Sequence, residues 1–293
     1  MESSHPPIPI DQQSLVALNQ LSSDESGLRG DRLLFLIDDE GVALGQDELP
    51  RMALIRPRLV GEDLEVCAPD RSALTLALTD QGEPRDTTHL HDRAPAIDQG
   101  DRAARWFSEF LGRSCRLMAN PNLRTREAPA AYSHLFSPAQ SRFAAVAPIL
   151  LTSEASLADL NARIAKPIRM NRLRPNVVDD GSSAFHEDRW ARLRIGDLEL
   201  EKVASCERRS VTQLDQETAA RGIEPIRTLA KYRQQPGGIG GGIAFGIYFR
   251  PLAPGVLRLG DRVTLLESQT KFVPNDGSSV IDERDAPVPP GDV

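Results

Sequence analysis

Five polar residues, Ser205-Cys206-Glu207-Arg208-Arg209, close an alternating apolar run and precede another strand-like segment. A thiol beside two guanidinium groups can do chemistry, because nearby positive charge favours the thiolate that attacks carbon or binds a metal. Arg208 and Arg209 also offer forked donors that suit a carboxylate, a phosphate or a sulfate. Upstream lies a basic knot, Arg169, Arg172 and Arg174, closed by Pro175 and Asn176. The stretch 169–215 is therefore where a site is expected, with Cys206 as the candidate catalytic residue.

The surrounding pattern must position these groups. Leu193, Ile195, Leu198, Leu200 and Val203 have the period of a half-buried strand, read here as one run leading into the polar cluster. Before it, Val177-Val178 is an apolar pair and Asp180-Gly181 a turn signal. Ser153 is placed to cap a helix whose Leu157, Leu160 and Ile164 share a face, after a strand at 146–151. A further helix starts at Glu224-Pro225, with Ile226 and Leu229 inward. In the first half, 33–38 reads as a buried strand, and 52–60, 63–67 and 73–78 as short strands of a small antiparallel barrel or sandwich. Residues 101–111 form a helix with Trp106, Phe107, Phe110 and Leu111 on one face and Gly112 as its stop; these aromatics are core. Residues 1–7 and 267–293 are expected to be disordered.

Composition excludes several classes. The chain has 293 residues, 40% hydrophobic and 26% charged, the proportions of a soluble protein able to bury a large core. A net charge of −7 argues against nonspecific nucleic-acid binding. No apolar run reaches the roughly 18 residues needed to span a bilayer, and MESSHPPIPIDQQ lacks the features of a signal peptide. Cys67, Cys115 and Cys206 lie far apart with no CxxC, which fits a reducing, cytoplasmic setting. His89 and His91 would share a strand face, but spacing places no third ligand with them, so no metal site is expected. The glycine run 237–242 is not a dinucleotide fingerprint, because no helix opens after it.

Several motifs in order carry a resemblance. Arg174-Pro175-Asn176, Glu187-Asp188-x-Trp190, Ile195-Gly196-Asp197 and the following cysteine resemble the MOSC-domain family, found in molybdenum cofactor sulfurase and the amidoxime-reducing components. SEASLADLN at 153–161, EPIRTLAKYR at 224–233, GLRGDR at 27–32 and the LxxGD element at 257–261 extend it, so that it covers about residues 8 to 266. The resemblance implies a β-rich α+β fold: a β-barrel-like N-terminal domain at 8–142, and a MOSC-type β-barrel with flanking helices at 143–266. It also implies that Arg32, Arg174 and Asn176 line a cofactor site. Relatives with an appended iron–sulfur domain carry it on the C-terminal side; no cysteine follows Cys206, so no such cluster is expected.

Two departures change the chemistry implied. The family holds molybdenum through the later cysteine of its Cys-x-x-Cys-like motif, and the matching position here is Arg209. A guanidinium has no lone pair to give a metal. Ile8-Pro9-Ile10-Asp11-Gln12 stands where the family carries Tyr-Pro-Val-Lys-Ser, so Asp11 replaces a phosphate-holding lysine. The leading expectation is a diverged, molybdenum-independent protein without cofactor, whose pocket of Arg32, Arg174, Asn176, Arg208 and Arg209 binds or transforms a small anionic molecule. The alternatives are a molybdopterin-dependent oxidoreductase of N-hydroxylated compounds with Cys206 as metal ligand, and a non-catalytic scaffold.

Overall fold

The structure, a computed structural model, describes residues 20–24, 27–28, 31, 33–60, 63–89, 92–119, 126–127, 140–141, 146–235 and 242–268. It is built mostly from short strands. The first part of the chain runs β1 (Gln20–Asp24), β2 (Gly27–Leu28), β3 (Leu34–Ile37), β4 (Ala43–Leu44), β5 (Arg56–Val60), β6 (Asp63–Cys67), β7 (Leu74–Ala77), β8 (Arg85–His89) and β9 (Asp92–Asp98). Helix α1 (Asp101–Leu111), β10 (Arg116–Ala119) and the two-residue strands β11 (Arg126–Glu127) and β12 (Gln140–Ser141) follow. Strands β3, β4, β8, β9 and β10 make one sheet in the order β4-β3-β10-β9-β8, and β5-β6-β7 make another.

Helix α1 forms as its pattern dictates. Trp106, Phe107, Phe110 and Leu111 are buried against Leu34, Leu36, Met52, Leu64, Val66, Leu74 and Leu117. Burying one such side chain contributes about 1.5–3 kcal/mol. Gly112 ends the helix in the left-handed region at φ 70°, its N–H donating to Ser108 O at 2.8 Å. The expected strand at 52–60 is shorter than its apolar content suggested. Pro50 opens a 3-10 turn at Pro50–Leu54, and the extended backbone starts only at Arg56.

The second part of the chain runs β13 (Ile149–Ser153), α2 (Glu154–Ala162), β14 (Val177–Asp179), β15 (Trp190–Ile195), β16 (Leu198–Glu207), α3 (Ile226–Leu229), β17 (Ala244–Pro251), β18 (Gly255–Arg258) and β19 (Val263–Ser268). A six-stranded sheet has the order β14-β13-β17-β16-β15-β19, antiparallel except where β13 meets β14. Its core joins Ile149, Leu151, Trp190, Leu193, Ile195, Leu198, Leu200, Ile247, Phe249 and Leu257. Ser153 caps α2 as expected, its Oγ accepting from Ser156 N at 3.1 Å. Glu267 and Ser268, expected to begin a disordered tail, belong to β19, and the rest of that expected tail, 269–293, lies outside the described residues, as do residues 1–7.

The run from Leu193 to Val203 is a hairpin rather than one strand. Gly196-Asp197 joins β15 to β16, with Ile195 opposite Leu198. Gly196 has φ 56°, and a Cβ there would collide with the Asp261 carboxylate, so glycine is required. The start of the described chain is tied to its end: β1 pairs with β18 and β2, and Leu28 is buried in the core of the six-stranded sheet.

Candidate functional site at the end of the longest strand

Strand β16 carries the polar cluster at its far end. Its register against β17 slips between Ser205 and Glu207, and such irregularities re-aim side chains. Cys206 points into an apolar cluster with Val146, Ala147, Leu150, Val203, Ala204 and Tyr248 and is only 2% exposed. Its Sγ lies 3.9 Å from Glu207 O, and neither neighbouring arginine donates to it. It is seated as a small hydrophobe.

Arg208 is buried and mostly engaged. Its backbone N–H donates to Ile243 O at 2.7 Å. Nε donates to Phe245 O and Nη1 to Leu173 O, both at 2.7 Å, and the guanidinium stands 5.8 Å from the Phe245 ring centre. Nη2 has no hydrogen-bond partner among the described residues. Gly246 makes room for this fork: at φ 78°, a Cβ would sit 3.3 Å from Nη2 and 2.6 Å from Thr152 Cγ2.

Arg209 is different. It is exposed on extended backbone, and its carbonyl accepts from Thr212 N at 3.1 Å and Thr212 Oγ1 at 2.9 Å, starting the 3-10 turn Ser210–Gln213. Its guanidinium has no hydrogen bond or ion pair with any described residue. Glu207 is half-buried, with its side chain pressed against Gly242. Burial pushes its carboxyl above the usual range and the charge of Arg209 draws it back down. Its carboxyl likewise has no partner among the described residues.

The residues 169–176 serve chiefly to hold loops. Arg172 donates from Nε to Thr212 O at 3.2 Å and from Nη2 to Gln213 O and Glu224 O; burial lowers its pKa. Arg174 is buried at φ 54°, where Pro175 disfavours the helical alternative. Its Nη1 donates to Gln46 Oε1 at 3.4 Å, and Gln216 Nε2 donates to the same oxygen at 2.9 Å. Asn176 Oδ1 accepts from Leu150 N at 2.8 Å, and Nδ2 donates to Asp31 Oδ2 at 3.1 Å. Asn176 thus pins β13 beside β14.

Of the expected pocket, Arg208 bonds the backbone carbonyl of Leu173, while the Arg174 guanidinium turns to Gln46. Asn176 is engaged by the Leu150 backbone and the Asp31 carboxylate, and Arg209 stands at the surface. Arg32 and Asp11 lie outside the described residues, as do His91 and the side chain of His89. Sequence reasoning gave no role to Glu207, Gln46 or Gln216. Glu207 was legible as a charge inside the cluster; the two glutamines, 170 residues apart, carried no local signal.

This donor set does not fit a metal held by a thiolate. The position after Arg208 offers a guanidinium, and the nearby sulfur, Cys206, is enclosed by apolar side chains. Among the described residues no helix is long and apolar enough to cross a membrane.

Comparison with known proteins gives matches along most of the chain. The MOSC domain model matches residues 138–264, and the MOSC N-terminal beta barrel domain model matches residues 8–114. The human protein named mitochondrial amidoxime-reducing component 1 is 33% identical over 269 residues, covering 88% of this chain and 78% of its own length. The bovine mitochondrial amidoxime reducing component 2 is 32% identical, covering 81% of this chain and 74% of its own. The zebrafish molybdenum cofactor sulfurase is 29% identical over 76% of this chain, a match that takes in 28% of that protein.

Proposed function

The chain belongs to the MOSC-domain family, and within it we propose a molybdenum-independent member that binds a small anion at the end of β16, as an enzyme or as a binder. One observation carries this reading: two adjacent arginines hold donor capacity that the described protein does not use, Nη2 of buried Arg208 and the whole guanidinium of exposed Arg209. Arginine forks match oxyanions, and charge-assisted hydrogen bonds to them are strong. Arg174, fixed by Gln46 beside the Leu173 carbonyl that Arg208 grips, adds positive charge behind them. The three free cysteines, Cys67, Cys115 and Cys206, suit a reducing cytoplasm.

An anion bound only by the folded state stabilises it by RT ln(1 + [L]/Kd), roughly 2.7 kcal/mol at a hundredfold excess over Kd. Millimolar phosphate is therefore expected to raise Tm above its value in chloride at equal ionic strength, and Arg209→Ala to remove most of that rise. A wild-type Tm that phosphate leaves unmoved would overturn the reading.

The names of the relatives favour a second reading, a molybdenum-cofactor oxidoreductase of N-hydroxylated compounds. It requires Cys206 to leave its apolar cluster and serve as the metal ligand.

A further inference from the structure

Glu207 poses a problem for an anion site. Residues two apart on extended backbone project to the same side. Glu207 ends β16 and Arg209 is extended at φ −118° and ψ 176°, so the carboxyl and the exposed guanidinium share a side, and Arg209 acts electrostatically on Glu207. Neither group has a hydrogen-bond partner among the described residues. The carboxyl is also held in place. Gly242 lies so close that a Cβ there would collide with Cβ, Cγ and Cδ of Glu207. An anion drawn by Arg209 therefore arrives beside a fixed carboxylate.

We propose that Glu207 makes this site select an oxyanion that carries a proton, hydrogen phosphate, over fully ionised oxyanions such as sulfate. The inference rests on the anion-binding reading above and names its ligand class. A carboxylate is an acceptor only, and it repels a second anion unless a proton lies between them. Hydrogen phosphate brings that proton, turning repulsion into an O–H···O⁻ bond while its other oxygens meet Arg209. Sulfate at neutral pH has no proton to give. Burial of Glu207 favours the shared proton from the protein side. Selection of this kind works by penalising the wrong ligand as much as by rewarding the right one.

The test uses the full chain, with Tm read in millimolar sodium phosphate and sodium sulfate at pH 7.5, ionic strength matched with chloride. Low concentrations avoid the general stabilisation that concentrated sulfate and phosphate give by exclusion. Wild type should respond to phosphate and much less to sulfate. Glu207→Gln keeps the shape and removes the charge, and should lose the preference by roughly tenfold in relative affinity, what one charge-assisted hydrogen bond is worth. Gly242→Ala, which displaces the carboxyl without altering its charge, should weaken the preference too, and it covers the case in which Glu207→Gln folds poorly. Equal responses to both anions in wild type, or a preference unchanged in the two variants, would overturn this inference while leaving anion binding intact. No response to either anion would remove the underlying reading and this one with it.

Discussion

Two polar clusters in the six-stranded half of the molecule differ in one respect. Glu187 is fully buried, yet each of its carboxyl oxygens has a hydroxyl partner: Oε1 accepts from Ser156 Oγ at 2.6 Å and Oε2 lies 3.2 Å from the Ser153 Oγ donor. Ser156 Oγ in turn accepts from Phe185 N at 2.7 Å, and Ser153 Oγ from Ser156 N at 3.1 Å. At the end of β16, by contrast, Glu207, Nη2 of Arg208 and Arg209 keep capacity that the described protein does not use. A buried network with every member satisfied rigidifies a fold, whereas unspent charge near the surface waits for something outside. The first cluster locks α2 to the turn before β15; the second is where a ligand has something to gain.

The largest effects that sharpen this contrast lie around the saturated parts. Gly246→Ala places a methyl 2.6 Å from Thr152 Cγ2 and 2.7 Å from Leu151 O at a positive φ, and should cost about 3 kcal/mol or more in denaturant unfolding. Glu187→Ala leaves the buried Ser156 hydroxyl without its acceptor, while Ser153 Oγ keeps Ser156 Oγ at 2.7 Å, and should cost about 3 kcal/mol. A loss under about 0.5 kcal/mol for Glu187→Ala would break the distinction drawn between the clusters, and one as small for Gly246→Ala would show that the Arg208 fork does not need glycine beside it.

Glu187 also fixes a pH dependence. Burial raises its pKa against the opposing serine hydrogen bonds, so the folded state holds this proton to higher pH than the unfolded state does. Stability from this group is then greatest below the ordinary glutamate range, and is lost as pH climbs from that range through the raised folded pKa. Glu187→Gln should flatten that part of the stability–pH profile; an unchanged slope would assign the dependence to other groups. At the open cluster the expected signs concern ligand, not stability. Arg209→Ala should change unfolding free energy by less than about 0.5 kcal/mol while removing the phosphate response. A fall in pH should strengthen the sulfate response of wild type, because a protonated Glu207 becomes a neutral donor and sulfate keeps its charge.

The parts of this molecule that sequence made legible are those set by local rules. Helix α1 announced itself through one apolar face and Gly112, and Ser153 through its place before an apolar-periodic segment. The hairpin of β15 and β16 was signalled but subtly. Apolar positions change parity between Ile195 and Leu198, where the turn falls, and again between Leu200 and Val203, beside the register slip at Lys202 and Ala204. A period-2 reading that tolerates both slips sees one strand. The site divides the same way. The arginines and Cys206 were visible as residue types, but their states depend on distant partners. Cys206 is enclosed by β13 and β17, Arg208 is spent on Phe245 and Leu173, and Arg174 meets Gln46 across 128 residues. No local pattern specifies such pairings.

The central claim is that the end of β16 serves an anion in place of a thiolate-held metal. Elemental analysis of the purified full chain, produced in a host competent for molybdopterin synthesis, tests it most directly. With Arg209 where the family resemblance implies the ligand cysteine, and with Cys206 enclosed, no stoichiometric molybdenum is expected. Molybdenum equimolar with the chain, lost on Cys206→Ser and retained on Arg209→Ala, would contradict it.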